Sequence, residues 1–228
     1  MLSVSPVRDS SAIRRAAAAI HDRVQRAVGR PLFWAATVTV LLAVPLALGL
    51  SRDAPVTPPV LGTLPAVALS DQDGRPFTHE TARGKVWIAD FIFTRCPTVC
   101  PRLTERMAKL QKRLRHMGGE VRLVSFSVDP EFDTPARLAS YARSAHANPR
   151  VWTFVTGRLG AMEHAVVSGF KVAMGRDKAA PDDFLSIFHA ERFVLVDRRL
   201  RIRGYYDGDD ESQDRLIRDA ALLAGIRE

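Results

Sequence analysis

The sequence predicts an α/β domain, with one sheet and helices on both of its faces. From residue 86 onward, short runs rich in Val, Ile and Phe alternate with segments whose apolar residues recur at helical spacing. Two further strand-like runs on either side of residues 197–199 then form a hairpin, and an amphipathic helix follows it. Alternation of this kind is typical of a single sheet covered by helices.

The central strand of this pattern leads directly into both cysteines of the chain. Val86–Phe93 is dominated by Val, Trp, Ile and Phe, as expected of a buried strand. Cys96 and Cys100 follow, and from Leu103 onward the apolar residues have helical spacing. Because helix N-termini carry partial positive charge and unpaired N–H groups, this turn is suited to stabilising a thiolate.

The other elements are predicted from the same signals. A hairpin should span residues 66–78 around the turn 71–74, and a second buried strand should cover Val121–Val128. A helix should begin at Pro135, with Asp133 or Thr134 as its cap. The remaining predictions are a strand 151–155, a helix 159–172, a polar loop 178–186, strands 192–196 and 201–206, and a helix 212–226. This order matches a thioredoxin-like sheet with additional elements.

The N-terminal part of the chain has a different composition. Residues 31–50 contain no charge and are long enough to cross a bilayer as a helix. Six arginines and only two aspartates precede them, which predicts that residues 1–30 stay in the cytoplasm. We therefore expect a transmembrane anchor at 31–50, a Pro-rich tether at 51–62 and a folded domain at 63–228. A cleaved signal peptide and a mitochondrial transit segment are the alternatives.

Charge argues against one class of partner. Residues 1–54 carry seven Arg against three Asp, and the rest of the chain carries 26 basic against 22 acidic residues. The folded part is therefore only mildly basic, and its charges are mixed in sign. Clustered basic stripes of the kind that bind nucleic acid are missing, so no nucleic-acid partner is expected.

The spacing of the cysteines leaves several chemistries open. The pair has one residue more between its members than a thioredoxin-type Cys-x-x-Cys. It can form a reversible or a structural disulfide, bind one metal ion, or simply pack as two small apolar side chains. Two thiolates alone are too few for a closed zinc site, which needs four ligands.

A third ligand is available in His189. The other histidines are His21, on the cytoplasmic side of the predicted anchor, and four in polar or helical surroundings. His189 lies where a loop enters the strand-like run 192–196, and in a thioredoxin-like sheet that strand lies next to the central one. Two thiolates and one imidazole form a soft site with few ligands, which suits Cu(I) and tolerates Cu(II).

Four motifs together resemble the Sco/SenC family. They are the stretches 93–101 (FTRCPTVCP), 125–135 (SFSVDPEFDTP) and 152–157 (WTFVTG), and the late His189. The resemblance runs from about residue 62 to the C-terminus. It implies a membrane-anchored, thioredoxin-like copper chaperone that assembles the copper A centre of cytochrome c oxidase. By position, Cys96, Cys100 and His189 would be the copper ligands, and the two cysteines would also form a reversible disulfide.

The chain departs from the family at three positions beside these residues. Members often have an acidic residue where Thr98 stands, and often polar residues where Phe188 and Ala190 flank the histidine. These changes affect the surroundings of the ligands, and with them copper affinity and redox potential, more than the identity of the ligands.

Two further functions use the same residues. A membrane-anchored thiol–disulfide reductase that keeps the copper-binding cysteines of its target reduced would need Cys96 and Cys100 but not His189. A thiol peroxidase shares the sheet, but Thr94 stands two residues before Cys96 and the Pro-x-x-x-Thr/Ser-x-x-Cys context is missing.

The expected location is a bacterial inner membrane, with the folded domain in the periplasm and the mitochondrial inner membrane as the alternative. The expected partner is the copper A subunit of the oxidase or another copper-carrying protein.

Overall fold

The computed structural model describes residues 21–22, 25, 28–50, 56–96, 99–117, 119–176, 187–189 and 191–225. The chain divides into two compact units, residues 1–54 and residues 55–228. In the first unit a helix, α1, covers Pro31–Leu50. The sheet and the cysteines belong to the second unit.

Eight strands form the main sheet of the second unit, in the order β1-β10-β9-β4-β5-β6-β2-β3. Two others, β7 and β8, pair with each other in a separate two-stranded sheet. The strands are β1 Gly62–Thr63, β2 Ala68–Asp71, β3 Pro76–Thr78, β4 Val86–Ile92, β5 Val121–Ser127, β6 Trp152–Thr156, β7 Met174–Arg176, β8 Ile187–His189, β9 Phe193–Val196 and β10 Arg201–Tyr206.

Five α-helices follow α1 in the described part of the chain. They are α2 His79–Ala82, α3 Val99–Arg113, α4 Pro135–Ser144, α5 Leu159–Glu163 and α6 Asp210–Gly225. A 3-10 turn, Leu114–Met117, extends α3, and a π-helical segment, His164–Gly169, extends α5.

The strand that leads to the cysteines lies at the centre of the sheet. All seven residues of β4 are buried, which explains why its sequence, apart from Asp90, is apolar rather than alternating. It pairs in parallel with β5 over its whole length and antiparallel with β9, with Ala89 opposite Val194. The first residue of β9 therefore lies beside the end of β4 from which the cysteine turn departs.

Helices cover both faces of this sheet, as predicted. Trp87, Phe91 and Phe126 form an aromatic cluster on one face with Phe170, which follows the π-helical segment. The neighbouring residues of the strands point to the opposite face. There Phe154 contacts Tyr141 of α4, with ring centroids 6.0 Å apart.

Most of the predicted elements are confirmed, and the exceptions have local causes. Thr134, not Asp133, caps α4, because the hydroxyl of Thr134 accepts a hydrogen bond from the backbone N–H of Arg137. The single helix predicted over 159–172 is a short α-helix followed by the π-helical segment. Strands β1, β7 and β8 and helix α2 were not predicted, because each has only two to four residues. The polar loop predicted at 178–186 lies outside the described residues.

The membrane anchor stays a prediction. Within the part of the chain that the structure describes in full, no helix is both long enough and apolar enough to span a membrane.

Candidate thiol site

The two cysteines lie at the junction of β4 and α3, as predicted. Cys96 lies in the turn that follows the strand, and Cys100 lies in the first turn of the helix. The backbone N–H of Cys100 donates to Sγ of Cys96 at 3.4 Å, so an amide of the helix N-terminus points at this sulfur. The N–H of Phe93 donates to Sγ of Cys100 at 3.5 Å. Both cysteines are thiols here and are not joined in a disulfide.

The two thiols differ in access to solvent. Cys96 is partly exposed, whereas Cys100 is fully buried. Burial raises the pKa of the Cys100 thiol far above its usual range; the N–H of Phe93 opposes this rise, and the Cys96 thiol adds to it. The helix terminus was expected to favour the thiolate, but at Cys100 desolvation is the larger effect. A reacting protein or ion therefore meets Cys96 first and Cys100 second.

A buried carboxylate after β5 fastens the residues that precede Cys96. The side chain of Asp133 accepts hydrogen bonds from the backbone N–H of Thr94 at 3.1 Å and from its hydroxyl at 2.5 Å. The hydroxyl of Ser127 donates to the same carboxylate at 2.7 Å. Burial raises the pKa of Asp133, and the hydrogen bonds from Thr94 and Ser127 act against the rise. Asp133 thus links the cysteine turn to the end of the neighbouring strand.

A second link in the same region is an ion pair. Nε of Arg95 donates to Oδ2 of Asp129 at 2.7 Å, and Asp129 is buried. The Arg95 guanidinium also lies 4.4 Å from the ring centroid of Phe132, within cation–π distance. Asp129 lies in the loop that follows β5. Its partner is the residue directly before Cys96, so it orients the turn.

Asp90, a buried acidic residue in the central strand, was not predicted from the sequence to be part of the site. Asp90 of β4 is fully buried, and its Oδ1 accepts a 2.5 Å hydrogen bond from Ser125, whose hydroxyl accepts one from Nε1 of Trp152. Its other oxygen, Oδ2, is buried with no hydrogen-bond partner among the described residues. Burial raises the pKa of Asp90 from its ordinary value of 3.8 to about 7, although the bond from Ser125 opposes this. The ionised carboxylate also contributes to the raised pKa of Cys100.

His189, the third predicted ligand, lies in β8 rather than at the start of the strand beside β4. Its backbone pairs with Met174 of β7, and β9 begins four residues later at Phe193. The side chain of His189 is outside the described part of the structure. Among the side chains that are described, no group of three or more His, Cys, Asp or Glu is placed to hold a metal ion. The structure therefore brings together Cys96 and Cys100, and the histidine ligand stays a prediction.

A signal for Asp90 was present in the sequence. An acidic residue in the middle of an otherwise apolar run is unusual, because a buried carboxylate needs partners or a raised pKa. The role of Asp133 had no such signal, since Asp before Thr-Pro is equally typical of a helix cap.

Many known proteins are similar to this chain in sequence or in structure. A SCO1 protein homologue of Bacillus subtilis is 35% identical over 159 residues, which are 69% of this chain and 80% of that protein. The structure of BsSco, described as having a disulfide switch and as a member of the Sco family of cytochrome c oxidase assembly proteins, is 31% identical. It matches with a TM-score of 0.64 over 75% of this chain and all of the other. Copper-bound ScoI of Bradyrhizobium japonicum is 24% identical, with a TM-score of 0.59 over 68% and 98% of the two chains, and shows the shared fold.

The central strand of a helix-covered sheet leads through a turn with two thiols into a helix. This arrangement defines a thioredoxin-like dithiol protein. The model of the SCO1/SenC family matches residues 64–224, which is most of the second unit. The chain belongs to the SCO1/SenC family, and the resemblance seen in its motifs is confirmed.

Proposed function

We propose that this chain binds copper and delivers it to the copper A centre of cytochrome c oxidase, with Cys96, Cys100 and His189 as ligands. The observation that carries the proposal is the pair of thiols at one strand–helix turn in a member of this family. Two relatives support it. ScoI of Bradyrhizobium japonicum was solved with copper bound, and BsSco is described as belonging to a family of oxidase assembly proteins.

The donor set fits a cuprous ion. Thiolates are soft ligands that select Cu(I), and an imidazole completes a site with few ligands, from which the ion can leave by ligand exchange. The raised pKa of Cys100 means that this thiol keeps its proton at neutral pH until a metal ion displaces the proton. Copper binding should therefore release a proton from Cys100, and the affinity should increase with pH.

The position of β9 supports a role for His189. This strand starts beside the end of β4, and Phe193, its first residue, follows His189 by four positions. Four residues span at most about 14 Å. The histidine is therefore restricted to the same end of the sheet as the cysteine turn.

Thiol–disulfide exchange is a second candidate, favoured by the different exposure of the two thiols. In this reaction the Cys96 thiolate attacks a disulfide of the target, forms a mixed disulfide and releases one target thiolate. Cys100 then attacks Cys96 and releases the second. Two electrons pass from the cysteine pair to the target, and the two protons of the pair end on the target thiols. The family resemblance implies the same disulfide between Cys96 and Cys100.

The variant His189→Ala separates the two functions. If copper delivery is the function, cells with His189→Ala should lose oxidase maturation, and the purified chain should lose stable Cu(II) binding while its disulfide still forms. His164→Ala is the matched control, because His164 is exposed on the π-helical segment. Normal oxidase maturation in His189→Ala cells would reject delivery through this histidine and leave the reductase as the better assignment.

For the location we propose an inner-membrane anchor at 31–50, a tether at 51–62 and a domain at 63–228 in the periplasm. The support is the uncharged run 31–50 and the six arginines before it. A reporter that is active only after export, fused to the C-terminus, should be active. Activity of only a cytoplasmic reporter at that position would reject this orientation.

A further inference from the structure

A cavity of about 430 Å³ lies against the sheet near the start of β4. Trp87 of β4 pairs with Arg122 of β5. Two residues further along β5, Val124 pairs with Thr153 of β6. Because paired residues and alternate residues of a strand share one face, these four side chains form the floor of the cavity. The cysteines follow the opposite end of β4, so the cavity is separate from the thiol site and its function does not depend on the copper assignment.

The walls of this cavity come from the β2–β3 hairpin and from the end of α2. Phe77 of β3 contacts the ring of Trp87 edge-on, with ring centroids 6.0 Å apart, and Ala82, the last residue of α2, also lines the cavity. Trp87 and Val124 are buried, and Phe77 and Ala82 are partly buried. The floor and walls therefore offer the apolar, partly aromatic surface that is typical of sites for small organic molecules.

The charged residues of the lining are mostly basic. Among the described residues that line the cavity, Arg83, Lys85 and Arg122 are basic and Asp71 is acidic. Oδ1 of Asp71 accepts from two backbone N–H groups of its own turn, at 2.9 and 2.8 Å, and Lys85 pairs with Glu120 at 2.8 Å. The two guanidinium groups present forked donors, which match the geometry of a carboxylate.

Two donors of the floor have no acceptor in the described part of the chain. Arg122 is partly buried and has neither a hydrogen bond nor an ion pair with any described residue. Nε1 of Trp87 is buried and has no hydrogen-bond partner there either. A charged side chain among apolar neighbours on a sheet face is unusual, and an unpaired buried donor is costly. A ligand with acceptor oxygens would satisfy both groups.

We propose that this cavity binds a small organic carboxylate, whose charged group contacts Arg122 and Trp87 and whose apolar body packs on Phe77 and Val124. The volume lies within the roughly 300–1,000 Å³ of small-molecule sites. A carboxylate has two acceptor oxygens, so it can accept from a guanidinium and an indole together. Trp87 also borders a second hollow, but its volume of about 10 Å³ is too small for an organic molecule.

Selective labelling of tryptophan with nitrogen-15 gives a direct readout of binding. The full-length chain in a non-ionic detergent should show an indole signal for each of Trp34, Trp87 and Trp152, and the variant Trp87→Phe identifies the signal of Trp87. Sodium benzoate is the probe. It should shift the Trp87 signal to saturation and leave that of Trp152, whose Nε1 already donates to Ser125 at 2.9 Å. A Trp87 signal that does not move would overturn the proposal.

Two further probes test the two parts of the ligand. Benzamide has the ring of benzoate without its charge, and inorganic phosphate has a charge without an apolar body. Each should bind at least about tenfold more weakly than benzoate, because each loses one of the two sets of contacts. Benzamide that binds as tightly as benzoate would remove the role of the charge, and phosphate that binds as tightly would remove the role of the apolar floor. Either result would reject an organic carboxylate site.

The variant Arg122→Gln should weaken benzoate binding about tenfold or more, because it removes the charged donor from the floor. Arg75→Gln is the matched control. Arg75 is exposed in the β2–β3 hairpin, pairs with Asp73 at 2.8 Å and does not line the cavity, so its loss should change the affinity less than about twofold. Equal weakening by both variants would show general charge attraction and reject a defined site.

A third variant, Thr153→Phe, blocks the cavity without removing a charge. Thr153 is partly buried on the floor, and an aromatic residue is well accommodated in a strand. Its ring would occupy the space of the benzoate ring, so the affinity should fall about tenfold or more although Arg122 is intact. Urea denaturation establishes that the variant is folded, and unchanged benzoate affinity in the folded variant would contradict the proposal.

Discussion

Asp90→Asn should change the pH dependence of stability in a defined direction. Burial raises the pKa of Asp90 to about 7 from an ordinary value of 3.8, so the folded state holds this proton more strongly than the unfolded state does. Its contribution to the free energy of unfolding is fully present below about pH 4 and is lost as the pH rises through about 7. A difference of about three pKa units corresponds to about 4 kcal/mol.

The asparagine does not titrate, but it keeps the oxygen that accepts from Ser125 and places an amide at the position of the unpartnered Oδ2. Below pH 4.5 we expect the variant to be less stable than the original chain by about 1–3 kcal/mol, the cost of an unpaired buried donor. At pH 8 it should be the more stable protein, because the original chain then carries a buried charge.

Urea denaturation of the full-length chain at pH 4.5, 6 and 8 measures this difference, with Asp73→Asn as a control for loss of one negative charge at an exposed position. A difference between Asp90→Asn and the original chain that stays constant over this pH range would refute the reasoning.

Three further substitutions test separate parts of the fold, each measured by urea denaturation. Asp133→Ala should cost about 3 kcal/mol or more, because it leaves the donors of the partly buried Thr94 and the buried Ser127 without their acceptor; a cost below 1 kcal/mol would show that Asp133 does not fasten the turn. Thr134→Ala should cost about 1 kcal/mol through loss of the α4 cap, and no change would contradict the capping assignment. Leu110→Ala should cost about 2–5 kcal/mol, because Leu110 is fully buried, and a smaller cost would mean that the core closes around the cavity.

The parts of the structure that the sequence predicted are those with a local signal. The apolar run of β4 and the helical spacing after Leu103 are each readable within about ten residues, and together they place the cysteines at a strand–helix junction. The start of α4 was predicted to within one residue, because Pro135 is typical of the first helical position.

The parts that were missed depend on contacts between distant segments. The partners of Asp133 are Thr94, 39 residues away, and Ser127, and nothing near Asp133 in the sequence identifies them. The exposure of the two cysteines also could not be predicted, because the burial of Cys100 depends on how α3 packs against the sheet. Its pKa therefore rises although the helix N-terminus favours the thiolate.

The pairing of β7 with β8 changed the expected position of His189. Two strands of three residues each have too little periodicity to be recognised, so the histidine was placed at the entrance of the next strand. The prediction that this strand, β9, lies beside β4 is confirmed.

X-ray absorption at the copper edge tests the three-ligand site most directly. The full-length chain, reduced and loaded with one equivalent of Cu(I), should show two sulfur ligands from Cys96 and Cys100 and one nitrogen ligand from His189. In His189→Ala the nitrogen should disappear while both sulfurs remain, and His164→Ala should give the same spectrum as the original chain. A nitrogen ligand that persists in His189→Ala, or a single sulfur in the original chain, would contradict the proposed copper site.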